Sequence, residues 1–443
     1  MTILITIFAF ILTIGLIVLI HEGGHYLAAK ALGIEVRRFS IGMGPVLAKF
    51  NAWKTEFAVS ALPIGGYVAF VEGEESDPPE RKAVLFETGP RWKRAVICVA
   101  GPLMNFILAV MLYAGVGALG VEDVVPYVTP VENSQAANAG VETFDRPVAV
   151  NGRRVGGLTD FNLALISELG ERDVEITFER GEAAYTAAFD LSKLSMREVN
   201  ASSGAAFLEL GLKLVGKGIL VVQVDSESAG AKGGLRAGDV IESVAGRRAK
   251  LGEFQEMIGA AAGKAVELEV RREGARIPLV VTPEAFEAEE GGGKIGRIGI
   301  RMMPAMETAV VRYGPIDSLR LALFKVASIT NFQYEAVKGM AKGEVSTENL
   351  SGPVGIAGMA GDAFRSGLSA FMEYLALISV AVGFMNLIPI PALDGGQLVI
   401  LAVEGLFGRA LSKRVKEGLM VASMAVLIFL ALYATMNDVG RMG

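Results

Sequence analysis

Eighteen residues without a single charge, Ile3 to Ile20, run directly into His21-Glu22-Gly23-Gly24-His25. A helix needs an apolar run of roughly 17 to 25 residues to cross a hydrocarbon core. The histidine motif therefore continues a membrane span, and the rest of the chain has to fold around a polar site at membrane depth. Histidines at i and i+4 stand one above the other on a helix face and can hold one Zn2+ through two imidazoles. Glu22, one position along, can reach a water at an open metal position and act as general base.

The chain has 443 residues and only two histidines, both in this motif. Ionisable groups in a span are costly, and their presence marks function. A catalytic zinc usually takes three protein ligands and keeps one position open, so the third is Asp, Glu or the lone Cys98. Di-iron membrane hydroxylases, which need many histidines, are excluded. With 52% apolar and 20% charged residues the chain reads as a membrane protein carrying a sizeable soluble portion. A net charge of -6 and the lack of a long basic run argue against a nucleic-acid partner. One cysteine excludes an internal disulfide. No Lys or Arg precedes the apolar run, which is also too long for a signal peptide, so the first span is expected to stay uncleaved.

Lys30 to Arg94 is rich in Lys and Arg and is expected to be cytoplasmic. Within it, Phe39 to Val68 alternates like a hairpin turning near Asn51-Ala52. It reads equally as an ordinary hairpin or as an exposed edge that takes up an extended peptide. Ala95 to Leu119 is a second uncharged span, interrupted by Gly101-Pro102 and Asn105, whose small and polar residues suit close helix packing. Cys98 within it reads as a small buried hydrophobe.

The next 200 or so residues change to a mixed α/β composition and contain a repeat. Ser134 to Arg154 aligns without gaps onto Ser228 to Arg248, with Ser134/Ser228, Gly140/Gly234, Asp145/Asp239 and Gly152-Arg153-Arg154/Gly246-Arg247-Arg248 among the identities. The first copy has Phe144 where the second has Gly238, which puts its turn geometry in question. No Lys or Arg occurs between Arg94 and Arg146, so the pair is expected outside. Ile316 to Lys338 is expected to form an amphipathic helix, and Ser351 to Ala357 a turn against the membrane.

The third span, about Phe371 to Ile388, ends in Asn386-Leu387-Ile388-Pro389-Ile390-Pro391-Ala392-Leu393-Asp394-Gly395-Gly396. Such a broken backbone is tolerated at membrane depth only where it is buried in protein or lines a cavity. Asp394 is the natural third ligand. Asn386 suits either a hydrogen bond to a substrate backbone or oxyanion or a bond between helices. Arg409, Lys413, Arg414 and Lys416 precede the last span, Leu419 to Met436, giving four spans with both ends outside and the two metal motifs at similar depth toward the cytoplasmic side.

The second repeat, Gly234 to Ile241 followed by Val244 and Gly246, resembles the PDZ family. The whole chain resembles the bacterial site-2 proteases, most closely the regulator-of-sigma-E protease group with tandem PDZ domains. The resemblance is carried by HEGGH at 21 to 25, Gly42 with Gly44-Pro45, Pro63 to Val68, Gly101-Pro102 with Asn105, Ser351-Gly352-Pro353 and NLIPIPALDGG at 386 to 396. Gly23 stands where the family more often has a larger apolar residue. The resemblance implies a polytopic α-helical membrane protein of four transmembrane helices with a membrane-associated cytoplasmic β-hairpin and two external α/β PDZ domains. Its expected parts are residues 1–30, the first span; 31–94, the cytoplasmic loop; 95–120, the second span; 121–215 and 216–310, the PDZ pair; 311–368, a membrane-associated connector; 369–405, the third span; and 406–443, the fourth.

It implies Zn2+ on His21, His25 and Asp394, Glu22 as base and Asn386 assisting substrate or oxyanion. Gly42, Gly44, Gly65, Gly66, Asn105, Ser351, Pro353, Pro389 and Pro391 are then expected around the substrate. The implied partners are the lipid bilayer of a bacterial inner membrane and single-pass membrane proteins, such as anti-sigma factors already shortened outside and remnant signal peptides, with the PDZ pair as a size filter. Competing readings are a PDZ adaptor with a structural or lost metal site, which the presence of all three ligands and Glu22 opposes, and a membrane-anchored protease with zinc outside the bilayer, which the placement of HEGGH opposes.

Overall fold

The computed structural model describes residues 2–73, 78–82, 84–193, 205–248, 250–287, 294–343 and 352–442. Two compact units emerge, one from Met1–Val121 with Arg312–Gly443 and one from Glu122–Val311.

The first unit opens with helix α1 (Thr2–Ala31), long enough to carry both the apolar run and the histidine motif. Strands β1 (Val36–Ala52) and β2 (Thr55–Phe70) follow. Their turn is at Trp53 and Lys54, both at positive φ (49° and 59°), because a two-residue turn matching strand twist needs that conformation at both central positions. Asn51 and Ala52, expected in the turn, instead still pair with Glu56 and Thr55. Both strands also fold back on themselves. Arg38 to Ile41 pair with Ala69 to Gly66 on one side and with Glu56 to Val59 on the other, while Val46 to Ala52 pair with Ser60 to Thr55. Gly42, Gly44 and Gly65, at φ of 85°, 84° and 76°, make the bends. The result is four short segments side by side, with Gly66 to Phe70 on one edge.

A single turn, α2 (Pro79–Lys82), leads to α3 (Arg91–Leu119), which contains Pro102. The chain then enters the second unit. Its first half is β3 (Val121–Val124), β4 (Val128–Pro130), α4 (Gln135–Asn138), β5 (Arg146–Val150), β6 (Arg153–Arg154), α5 (Leu158–Ser167), β7 (Val174–Arg180), β8 (Ala183–Phe189), α6 (Ala205–Glu209) and β9 (Leu212–Leu214). Its second half is β10 (Gly218–Val224), α7 (Ala229–Lys232), β11 (Val240–Val244), α8 (Leu251–Ala260), β12 (Val266–Arg272), β13 (Ala275–Val281), β14 (Glu284–Glu287), β15 (Lys294–Arg297), β16 (Ile300–Ala305) and β17 (Thr308–Val311).

The repeat seen in the sequence is a repeat in space. Ser134 and Ser228 each cap a helix, accepting from the Ala137 and Ala231 amides at 3.2 Å. Asp145 and Asp239, both at most 1% exposed, each take a guanidinium, Arg180 or Arg272, and a backbone amide, Glu142 or Arg236. Phe144 adopts φ 75° where Gly238 adopts 91°, so the first copy keeps the turn despite a side chain that disfavours it. Arg248 of the second copy lies over the Phe144 ring at 5.6 Å.

The second copy carries a groove. There, Phe254 and Ile258 of α8 face Ile298, Ile300 and Met302 across a cavity of about 680 Å³. The sheet order β13-β12-β11-β10-β16 leaves β16 paired on one side only among the described residues. In the first copy α6 brings Phe207, 1% exposed, against Phe161 of α5 at 5.1 Å.

Back in the first unit come α9 (Pro315–Lys342), α10 (Pro353–Ser366), α11 (Leu368–Asn386), α12 (Asp394–Leu406) and α13 (Lys413–Met442). Ser351 lies outside the described residues. Pro353 to Ala357 form the first turn of α10 rather than the expected loop. Proline at the first helical position is pre-set for a helix, and the Asp438 carboxylate of α13 accepts from the Gly355 amide at 2.8 Å, satisfying that helix start. Among the described residues four helices are long and apolar enough to cross a membrane, Ile3–Ala31, Arg91–Leu119, Leu368–Asn386 and Lys413–Gly440. The first three pack with α9 and α10 through small and aromatic residues, Ala9, Ala360, Phe371 and Tyr374 in one cluster and Ala109, Tyr113, Ala322 and Ala376 in another. The remaining faces of the four spans carry exposed Ile3, Phe8, Met111, Val421 and Phe429, as lipid-facing helices do.

Candidate metal centre

Asp394 sits almost 370 residues from the histidine motif, yet its Oδ2 is 3.2 Å from His21 Nε2 and 3.4 Å from His25 Nε2. The two Nε2 atoms are 3.3 Å apart. All three side chains can turn one ligand atom inward, within 4.8 Å of the others, and the two histidines are buried. Asp394 Oδ2 has no hydrogen-bond partner. A buried carboxylate oxygen without a donor, facing two ring nitrogens, is what a cation would satisfy. These residues fit a zinc ion, and Cys98 is not among them.

The surrounding backbone fixes each ligand. Asp394 is the first residue of α12, where Gly395 and Gly396 have no Cβ to spare: one would overlap the Leu387 carbonyl and the other the Ile390 carbonyl. Pro389 and Pro391 thus shape a loop folded down onto the start of α12, and Gln397 donates to the Pro391 carbonyl at 2.8 Å. Behind it, Glu404 of α12, 1% exposed, takes Lys416 of α13 at 2.6 Å and Arg94 of α3 at 3.4 Å. Helix α3 approaches α1 closely because both present glycines. A Cβ on Gly24 would strike the Ala100 carbonyl, and one on Gly101 would occupy the His25 ring. His25 Nδ1 donates to the Ile97 carbonyl at 2.7 Å, leaving Nε2 with its lone pair directed inward. Gly23, by contrast, faces open space beside an apolar cavity of about 530 Å³ between α1 and the sheet.

Glu22 lies under the sheet edge. The Val68 backbone lies beside its carboxylate, and a Cβ on Gly66 would sit 3.1 Å from Glu22 Cγ and 2.8 Å from Val18. Gly66 to Phe70 pair only with Val36 to Ile41 among the described residues, so the edge strand runs unpaired alongside the glutamate. Gly42 and Gly44 shape the sheet, and Gly42 is closed in by the Ser60 and Leu62 carbonyls. Asn386 ends α11 and donates to the Val382 carbonyl at 3.0 Å, which leaves its second amide hydrogen and its oxygen for other partners. Asn105, expected near the substrate, is 0% exposed, and its amide lies 3.1 Å from His21 Nδ1. Ile97 and Gly24 escaped the sequence reading; the costly glycine inside a helix was the one available signal.

Residues 9–430 match the family model described as peptidase family M50. A putative zinc metalloprotease of Ralstonia nicotianae is 31% identical, over 99% of this chain and 99% of that protein. The regulator of sigma E protease of Haemophilus influenzae and the regulator of sigma-E protease of Escherichia coli are each 32% identical, over 98% of both chains. The PDZ domain of an SdrC-like protein from Listeria innocua is 24% identical, with a TM-score of 0.16, over 19% of this chain and 92% of that one. The chain thus belongs to peptidase family M50, as a zinc metalloprotease of the regulator of sigma-E protease group.

Proposed function

We propose that this enzyme cuts single-pass membrane proteins within or beside their spans, as the second cut in regulated intramembrane proteolysis, and that His21, His25 and Asp394 hold its zinc. The observation that carries this is the convergence of Asp394 on the two histidines at the end of an uncharged helix. Zinc, when bound, supplies Lewis acidity toward a peptide carbonyl and toward water.

Glu22 takes the proton from the attacking water and returns it to the leaving amine. Asn386 directs its free amide hydrogen to the substrate backbone or the developing oxyanion. A helical substrate has its carbonyls occupied, so it must unwind first; the unpaired edge at Gly66 to Phe70 replaces the lost hydrogen bonds by strand addition. Gly42, Gly44, Gly65 and the loop at Pro389 and Pro391 shape that path, and Pro353 borders it.

The two repeats act as PDZ domains on the external side of a bacterial inner membrane, with the metal toward the cytoplasmic side. The second copy is the one that takes a peptide tail. Its open groove beside a β16 edge unpaired among the described residues supports this. Anti-sigma factors trimmed outside by an earlier protease, and signal-peptide remnants, are the substrate class, in line with the sigma-E names of the relatives. Purified enzyme incubated with a truncated single-span substrate is the test. Cleavage inside the span supports the reading, and cleavage only in soluble regions contradicts it.

A further inference from the structure

Both histidines have a second ring nitrogen, and the structure hands both of them to α3. His25 Nδ1 meets the Ile97 carbonyl, an acceptor, which forces the proton onto Nδ1 and frees Nε2. His21 Nδ1 meets the side-chain amide of Asn105 at 3.1 Å, with the Nδ2 end toward it, while Asn105 Oδ1 is buried without a partner. In that orientation the amide donates to Nδ1, and the proton of neutral His21 sits on Nε2, the atom 3.2 Å from Asp394 Oδ2. That tautomer blocks the atom a metal needs. Rotating the amide by half a turn exchanges its oxygen and nitrogen in place; the two are interchangeable in shape. Oδ1 then accepts from Nδ1–H, and Nε2 is freed.

We propose that Asn105 is a positioning residue for the zinc: its carboxamide oxygen accepts the Nδ1 proton of His21 in the metal-loaded enzyme and thereby sets the tautomer and ring plane that Nε2 coordination requires. The rest of α3 is built to the same end. Gly101 leaves room for the His25 ring, and the Ser379 hydroxyl bonds the Asn105 backbone carbonyl at 2.8 Å, so the residue is anchored independently of its amide. Gly101 and Asn105 are thus both placed against the metal ligands. This inference rests on the assignment of His21, His25 and Asp394 as zinc ligands.

The test compares wild type, Asn105→Asp and Asn105→Leu as full-length proteins in detergent, with zinc affinity read by chelator competition. Thermal melting checks that each is folded. An interaction of this kind is worth on the order of 10- to 100-fold in metal affinity. Asn105→Leu, apolar and of similar size, loses that factor, whereas Asn105→Asp, which keeps an acceptor oxygen, binds at least as tightly as wild type. With only two histidines, 15N-histidine labelling resolves the ring nitrogens, and the His21 Nδ1–H signal of the zinc form shifts in Asn105→Leu while that of His25 stays. Unchanged zinc affinity in folded Asn105→Leu, or a His21 Nδ1 signal indifferent to that substitution, overturns the role of Asn105 alone. A wild type that takes up no zinc overturns the ligand assignment and this inference with it. Should Asn105→Leu fail to fold, Asn105→Asp binding zinc more than tenfold below wild type overturns it.

Discussion

Two regions of this protein bury carboxylates, and they do so in opposite ways. In the repeats, Asp145 and Asp239 are enclosed by partners from their own fold, a guanidinium and a backbone amide each. In the membrane unit, Asp394 faces two imidazoles across 3.2 and 3.4 Å, and its Oδ2 has no donor. Closed electrostatics hold a fold, whereas open electrostatics in a low-dielectric setting await a cation. The difference separates two buried acids that hydropathy alone would treat alike.

The largest expected effects lie at the open site. Replacing Asp394 with Ala removes one of three ligands, so metal analysis of the purified variant is expected to find zinc lost and turnover absent. Glu22→Gln leaves the ligands alone. Zinc stays bound, and a general base of this kind is worth about 10²- to 10⁴-fold, measured as the rate of cleavage of a model substrate. The two glycines of the motif sharpen the contrast further. Gly24→Leu drives a side chain into the Ala100 carbonyl and is expected to abolish both zinc binding and a cooperative melt, while Gly23→Leu, facing open space, leaves zinc affinity within about threefold and raises the melting temperature through added apolar burial.

At the closed sites the effects are on stability. Asp239→Ala strands Arg272, whose side chain keeps a fifth of its exposure, so the cost is expected at the low end for a broken buried pair, roughly 3 kcal/mol, read from urea denaturation. The smallest effect is pH dependence. Burial alone would raise the carboxyl pKa of Asp239, but the bonds from Arg272 and the Arg236 amide outweigh it and hold it below the ordinary value. Asp145 is held down in the same way by Arg180, the Glu142 amide and Tyr185 against its own burial. Their stabilisation is complete above the unfolded pKa of about 3.9 and is lost as pH falls through the lower folded value. Scanning calorimetry between pH 6 and 3 is expected to show a drop in melting temperature below about pH 4, smaller in Asp239→Asn.

Much of this was legible in the sequence. HEGGH at the end of an uncharged run, a carboxylate in a broken span and two aligned repeats needed no coordinates, since each is a local pattern or an internal comparison. The partners of those patterns were harder to read. Arg180 and Arg272 stand in corresponding places, but nothing in the chain says that they reach Asp145 and Asp239 some 35 residues back. The strand folding around Gly42, Gly44 and Gly65 is set by long-range pairing, and strand alternation alone suggested a plain hairpin with its turn two residues early. Asn105 looked like a polar residue awaiting substrate because its partner, His21, lies 84 residues away on another helix.

The central claim is that His21, His25 and Asp394 make one zinc site at which Glu22 works as base. The most direct measurement is zinc content together with cleavage of a truncated single-span substrate, made side by side on wild type, Glu22→Gln and Asp394→Ala in detergent. The account predicts about one zinc per chain and cleavage within the span for wild type, zinc without cleavage for Glu22→Gln, and neither for Asp394→Ala. Wild type free of metal, or Glu22→Gln cleaving at the wild-type rate, would contradict it.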